Sequence, residues 1–94
     1  MKIKLTPIRE TGGGRTGTVN LGYNEVVEIV GKPNVTDMDD PDKVKASWGF
    51  KDSKGRKGFL WSYKWYGEIS KCPSFSADGD PSLMKELFGD KYEN

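Results

Sequence analysis

Cys72 is the residue whose side chain and neighbour most directly suggest covalent chemistry. Lys71 precedes it, and an adjacent cation favours the thiolate that nucleophilic attack requires. The chain has no histidine, which removes the Ser-His and Cys-His nucleophile pairs, the usual general base and the commonest metal ligand. A single cysteine also supplies neither an internal disulfide nor a multi-thiolate zinc site. The competing reading of Cys72 is a small half-buried side chain that fills space, and the missing base favours it. No acid, base and nucleophile cluster in the sequence, so the chain is expected to be non-enzymatic, with no cofactor and no metal.

Three other runs bring charge or backbone donors together. G-G-G-R-T-G, beginning at Gly12 and ending at Gly17, offers N–H groups to an anion, and Arg15 adds charge. It lacks the G-K-[ST] ending of a P-loop, and the next helical pattern starts too late for a dinucleotide fingerprint. A flexible loop over about residues 11–18 is the expectation. Asp37, Asp39, Asp40 and Asp42 crowd together, as oxygen ligands of a hard cation do, but without the central glycine and distal glutamate of an EF-hand loop. They read either as a solvated acidic loop or as a patch that docks onto a basic partner, which Asp78, Asp80, Glu86 and Asp90 would enlarge. Opposite in sign, Lys43, Lys45, Lys51, Lys54, Arg56, Lys57 and Lys64 have only Asp52 among them. Cations interleaved with rings are what single-stranded nucleic-acid grooves use. Strand alternation nevertheless sends most of these lysines to the face away from the rings, favouring a core face backed by a solvated lysine face.

The elements that would position these groups follow from periodicity. Residues 2–8 place Ile3 and Leu5 on one side and Lys2, Lys4 and Thr6 on the other, a half-buried strand for which Pro7 suggests an edge position or the strand's end. Tyr23, Val26, Val27 and Val30 mark one face of a helix, with Asn20 or Asn24 as its cap and Gly31 and Pro33 as its stop. A polar run through the aspartates then leads to two alternating stretches. Val44, Ala46, Trp48 and Phe50 share a face of the first, and Phe59, Trp61, Tyr63 and Trp65 share a face of the second. Both aromatic faces are expected to meet one core and to pair across the strands. Phe75 and Ala77 suggest a third strand of that sheet. Asp80 as N-cap, Pro81 at the first helical position and Gly89 just past the end frame a last helix, whose stripe is Leu83, Met84, Leu87 and Phe88.

Length and composition bound the rest. Ninety-four residues suffice for one domain. With 34% apolar residues the core is small and must draw on its aromatic side chains. A net charge of +1 gives no global pull towards nucleic acid or membrane, so local patches must do so. No stretch reaches the roughly 18 apolar residues of a membrane span, and the first residues do not resemble a signal peptide. A cytoplasmic protein is expected.

G-K-P-N at residues 31–34, D-D-P-D-K-V-K-A-S-W-G-F at 39–50, W-S-Y-K at 61–64, F-S-A-D-G at 75–79 and L-F-G at 87–89 together form a pattern. Over roughly residues 20–90 the chain resembles small, largely uncharacterised accessory proteins encoded by bacteriophages and prophages. That resemblance implies a protein that binds host machinery, as inhibitors of bacterial immune systems such as anti-CRISPR proteins do. It brings no active site with it, and fold likeness alone assigns no function.

The expected architecture is α+β, as one domain over residues 1–94. It has an antiparallel sheet of three to four strands centred on the aromatic hairpin, a short helix before it and a C-terminal helix packed on it. The expected function is occlusion of a host protein or nucleoprotein complex, such as a bacterial immune effector. Its surface would be Asp37, Asp39, Asp40 and Asp42, with Trp65 or Tyr66 as the anchor. The alternative is direct nucleic-acid binding through Lys54, Arg56 and Lys57 at the hairpin tip with Lys64 on its flank. Leu60 and Tyr66 on the mixed face leave both a monomer and a homodimer open.

Overall fold

A computed structural model describes residues 4–9, 14–34, 46–62 and 67–94. Among the described residues the fold is α+β, with two α-helices and a six-stranded antiparallel sheet. In chain order the elements are β1 (Leu5–Pro7), β2 (Gly17–Val19), α1 (Tyr23–Val30), β3 (Ser47–Asp52), β4 (Lys57–Trp61), β5 (Phe75–Gly79), α2 (Pro81–Phe88) and β6 (Tyr92–Glu93). Across the sheet the order is β1-β3-β4-β5-β2-β6. The Pro7-containing strand therefore lies at an edge, where a missing N–H costs no ladder bond. Among the described residues no helix is long and apolar enough to cross a membrane.

The sheet has two strands more than the upper expectation of four. One is β2, whose Gly17 and Thr18 fall in the run expected to be a flexible loop. A three-residue strand is too short to show a period, and Gly17 is there for space. A Cβ on it would lie 2.8 Å from the Tyr92 ring carbon Cε1 and 2.5 Å from the Glu93 carbonyl oxygen. The other is β6, which pairs with β2 through Val19 opposite Tyr92.

Helix α1 has the expected span, but its cap differs. Gly22 holds the N-cap position with no side-chain hydrogen bond, so neither Asn20 nor Asn24 caps it, and Asn24 lies within the helix. At the other end Gly31 takes a φ of 89°, and its N–H closes on the Val27 carbonyl at 2.8 Å. Helix α2 starts as expected: the Asp80 carboxylate accepts from the backbone N–H of Ser82 at 2.9 Å and of Leu83 at 3.4 Å. These bonds satisfy two of the donors that a helix start leaves open.

Both helices pack on the same sheet face. Residues directly opposite in neighbouring strands share a face, and the register Phe50–Gly58–Gly79 and Trp48–Leu60–Ala77 defines the inner one. Trp48, Phe50, Leu60, Phe75, Ala77 and Val19 are all buried there. Trp48 sets its ring edge-on against Phe75 with centroids 5.1 Å apart, and Tyr23 of α1 lies 6.0 Å from it on the helix side. The Trp48 indole N–H donates to the Gly31 carbonyl at 2.8 Å, so even this polar handle is satisfied. From α2, Leu83, Met84 and Phe88 close the same core.

This register corrects the expectation that both aromatic faces meet one core. On β4 it is Gly58 and Leu60 that point inward, followed by Ser62, while Phe59 and Trp61 take the opposite face. Gly58 has no side chain because the Phe50 ring already fills its place, and Met84 Sδ would sit 2.9 Å from an added Cβ. Ser62 is tolerated inside because its hydroxyl accepts the Ala46 N–H at 3.1 Å. The expected pairing of rings across the two strands is thereby replaced by Trp48 beside Leu60 and Phe50 over Gly58. Tyr63 and Trp65 lie outside the described residues.

Candidate functional site

The second sheet face is organised in three rows, each read across the strands by register. The first holds Thr6, Lys51 and Lys57; the second Gly49, Phe59 and Asp78; the third Ser47, Trp61, Ser76, Thr18 and Glu93. Phe59 and Trp61 are half-buried on the central strand β4, and Lys51 and Lys57 are exposed. The lateral neighbours of the rings include Gly49, Ser47 and Ser76, side chains too small to overtop an aromatic ring. Ser47 and Gly49, beside the rings on this face, are themselves buried. Two residues along a strand are about 6.7 Å apart, so Lys57, Phe59 and Trp61 follow one another along this face of β4.

The sheet edge beside this face is stiffened by Asn34. Its amide donates to the carbonyls of Ile8 at 2.9 Å and Gly49 at 3.1 Å, while its carbonyl oxygen accepts the Gly49 N–H at 3.2 Å. Asn34 N–H also donates to Ser47 at 3.1 Å. One side chain thus supplies the ladder bonds where β1 leaves β3. On the far side, the Asp78 carboxylate accepts from the Thr16 hydroxyl at 3.2 Å and from Gly14 N–H at 3.5 Å. It pins the end of the glycine run to the sheet.

Of the cations expected at the hairpin tip, Arg56 is engaged within the fold. Its Nε lies 2.7 Å from the Asp52 carboxylate and its Nη2 2.6 Å from Glu86 on α2, while Nη1 donates to Ser82 at 3.2 Å. Asp52 is nearly fully buried and also accepts the N–H groups of Lys54 at 3.0 Å and Arg56 at 2.8 Å. Gly55, at a φ of 83°, lets the chain turn within this ring of bonds. Burial would raise the Asp52 carboxyl, but Arg56 and the two backbone donors outweigh it and hold it below its ordinary value. The Glu86 carboxyl is likewise lowered by its bond to Arg56. Arg56 is accordingly a strut between hairpin and helix. Lys54 and Lys57 remain exposed.

Two members of the expected acidic extension also have structural partners. Asp80 is the helix cap, and Glu86 is the far end of the Arg56 bridge. Asp37, Asp39, Asp40, Asp42, Trp65, Tyr66 and Lys64 all lie outside the described residues. Cys72 is buried; its thiol donates to the Ser74 carbonyl at 3.0 Å, and burial pushes its pKa up, away from the thiolate. Lys71, expected to assist it, lies 4.0 Å from Glu68. The residues missed by periodicity are Lys51, Phe59, Lys57 and Trp61 as one surface. The signal was present in the glycine at position 58, since a glycine opposite a phenylalanine marks the packed side of a strand. Compared with known proteins, the chain matches no family model, no curated protein and no solved structure.

Proposed function

We propose that this protein is a non-enzymatic binding protein of the phage accessory type, which occludes a host nucleoprotein complex such as a bacterial immune effector. Its working surface is the second sheet face. The observation that carries this reading is that Phe59 and Trp61 stand on the face opposite both helices, although a chain so poor in apolar residues has every reason to spend its rings on its core. Aromatic side chains held rigidly on a strand lose little conformational freedom on binding and are favoured anchors in interfaces. Chemistry that forms and breaks bonds has weaker support: the Cys72 thiol is buried and hydrogen-bonded, and the buried Asp52 is engaged by Arg56.

The test is capture from bacterial lysate on the immobilised full chain, compared with a Phe59→Ser/Trp61→Ser variant that retains a cooperative melt. The wild type is expected to retain a defined host complex that the variant releases. Equal retention by both proteins would refute the second face as the working surface.

A further inference from the structure

We infer that the C-terminal segment, residues 89–93, is a strap that opens and recloses over the edge of β2 while the rest of the fold stays intact. The strap stands apart from the binding face and survives the failure of that reading. Three features of the segment carry the inference.

The first is the seat of Tyr92. The residue is buried with the core, yet its hydroxyl oxygen is closed off from solvent and has no hydrogen-bond partner among the described residues. A buried phenol ordinarily reaches a partner, and a hydroxyl denied one forfeits the bonds it makes to water when exposed. Opening the strap returns those bonds. The ring therefore holds the strap shut by its burial, and the hydroxyl on the same ring opposes it.

The second is the shortness of the ladder. Strand β6 is two residues long and ends the sheet, with Tyr92 opposite Val19 and Glu93 opposite Thr18 of β2. One further bond runs from the Asn20 N–H to the Lys91 carbonyl at 2.8 Å. On its other side β2 is joined to β5 by three register pairs and by the Thr16 N–H, which donates to the Ala77 carbonyl at 2.9 Å. Losing β6 thus leaves β2 attached to the sheet. A short terminal strand of this kind is a unit that opens below the free energy of global unfolding. With the strap open, β2 becomes the edge of the sheet and the Asn20 N–H loses its acceptor.

The third is the hinge and the fit. The strap leaves α2 at Gly89, whose φ is 60° and around which an added Cβ has nothing within 4 Å. Gly89, Asp90 and Lys91 are all exposed, so the turn that carries β6 has room to move. At the far end, the three atoms nearest to a Cβ built on Gly17 all belong to the strap. They are the Glu93 carbonyl oxygen at 2.5 Å, Tyr92 Cε1 at 2.8 Å and the Tyr92 hydroxyl oxygen at 3.0 Å. The bareness of Gly17 serves the docking of β6.

The experiment is native-state amide hydrogen exchange of the full chain, followed by NMR at two N–H groups of the β2 region. Asn20 reports the β2–β6 ladder and Thr16 the β2–β5 ladder. In the wild type, Asn20 should exchange roughly tenfold or more faster than Thr16 once intrinsic rates are divided out. Tyr92→Phe keeps the ring and removes the hydroxyl, and should slow Asn20 exchange roughly 5-fold to 150-fold, the span for one buried unpaired group. Gly17→Ala drives a methyl into the strap and should speed Asn20 exchange by a similar factor of roughly 5-fold to 150-fold. Urea melts of each variant show that it is folded. If Gly17→Ala does not fold, the wild-type comparison and Tyr92→Phe still decide the matter. Asn20 exchanging no faster than Thr16 in the wild type, or not slowed by Tyr92→Phe, overturns the inference.

Discussion

Replacing Gly58 with alanine tests the face assignment on which the surface depends, because the two assignments predict opposite signs. With Gly58 on the packed side, an added methyl meets the Phe50 ring and lies 2.9 Å from Met84 Sδ. Overpacking of this kind costs about 1–3 kcal/mol. The backbone entropy removed from the unfolded chain returns about 0.4–1 kcal/mol, leaving a net loss centred on about 1.3 kcal/mol. At about 2.1 cal/mol/K per residue, a chain of 94 residues has an unfolding entropy of about 0.2 kcal/mol/K, so Tm falls by roughly 5–10 °C. Had Phe59 and Trp61 faced the core, Gly58 would lie on the solvent side. Alanine there would stabilise the strand by about 0.5–1 kcal/mol. The assay is a circular-dichroism melt alongside urea unfolding, with Gly14→Ala, where an added Cβ has nothing within 4 Å, as the control. A Gly58→Ala protein as stable as the wild type, or more so, refutes the assignment.

Three further outcomes follow from the same contacts. The carboxyls of Asp52, Asp80 and Glu86 all lie below their ordinary values in the folded protein. The stability they contribute is therefore complete above their unfolded values, near 3.8 for the aspartates and 4.5 for the glutamate, and is lost as pH falls through the lower folded ones. Tm should be flat from pH 7 to about 5 and decline below about 4, and Glu86→Gln should reduce that decline. Asp80→Ala leaves the Ser82 and Leu83 N–H groups without their acceptor and should lower Tm by roughly 5 °C, measured by the same melts, whereas Asp80→Asn should recover most of the loss. The Cys72 thiol, buried and raised in pKa, should react with a chromogenic disulfide reagent at neutral pH far more slowly in the native protein than in urea. Equal rates would mean that the thiol is accessible.

The two helices were legible because each carries its own local signals. Four apolar residues at helical spacing followed by a glycine mark α1, and an Asp-Pro start followed by a glycine stop marks α2. Such signals act within a turn or two of the chain, where sequence and structure coincide. The short strands β2 and β6 carry none, since two or three residues cannot display alternation, and they exist because β2 pairs with β5 and β6 pairs with β2. The hairpin was legible as strands but not as faces. Both of its faces on β4 hold large side chains, so alternation alone leaves two orientations, and the bulkier set is the wrong choice.

By itself the sequence determined the α+β class, the two helix spans and the lack of any histidine for catalysis. Tertiary structure alone decided which side of β4 is buried, because that choice depends on what lies across the sheet: a phenylalanine opposite Gly58, a tryptophan opposite Leu60, and a methionine arriving from α2. It likewise decided that Arg56 is a strut and Lys51 and Lys57 a pair, since both facts join residues brought together only by register and helix docking. A core filled from the Trp48 and Phe50 side has no space left for the rings of β4, and packing density therefore turns Phe59 and Trp61 outward.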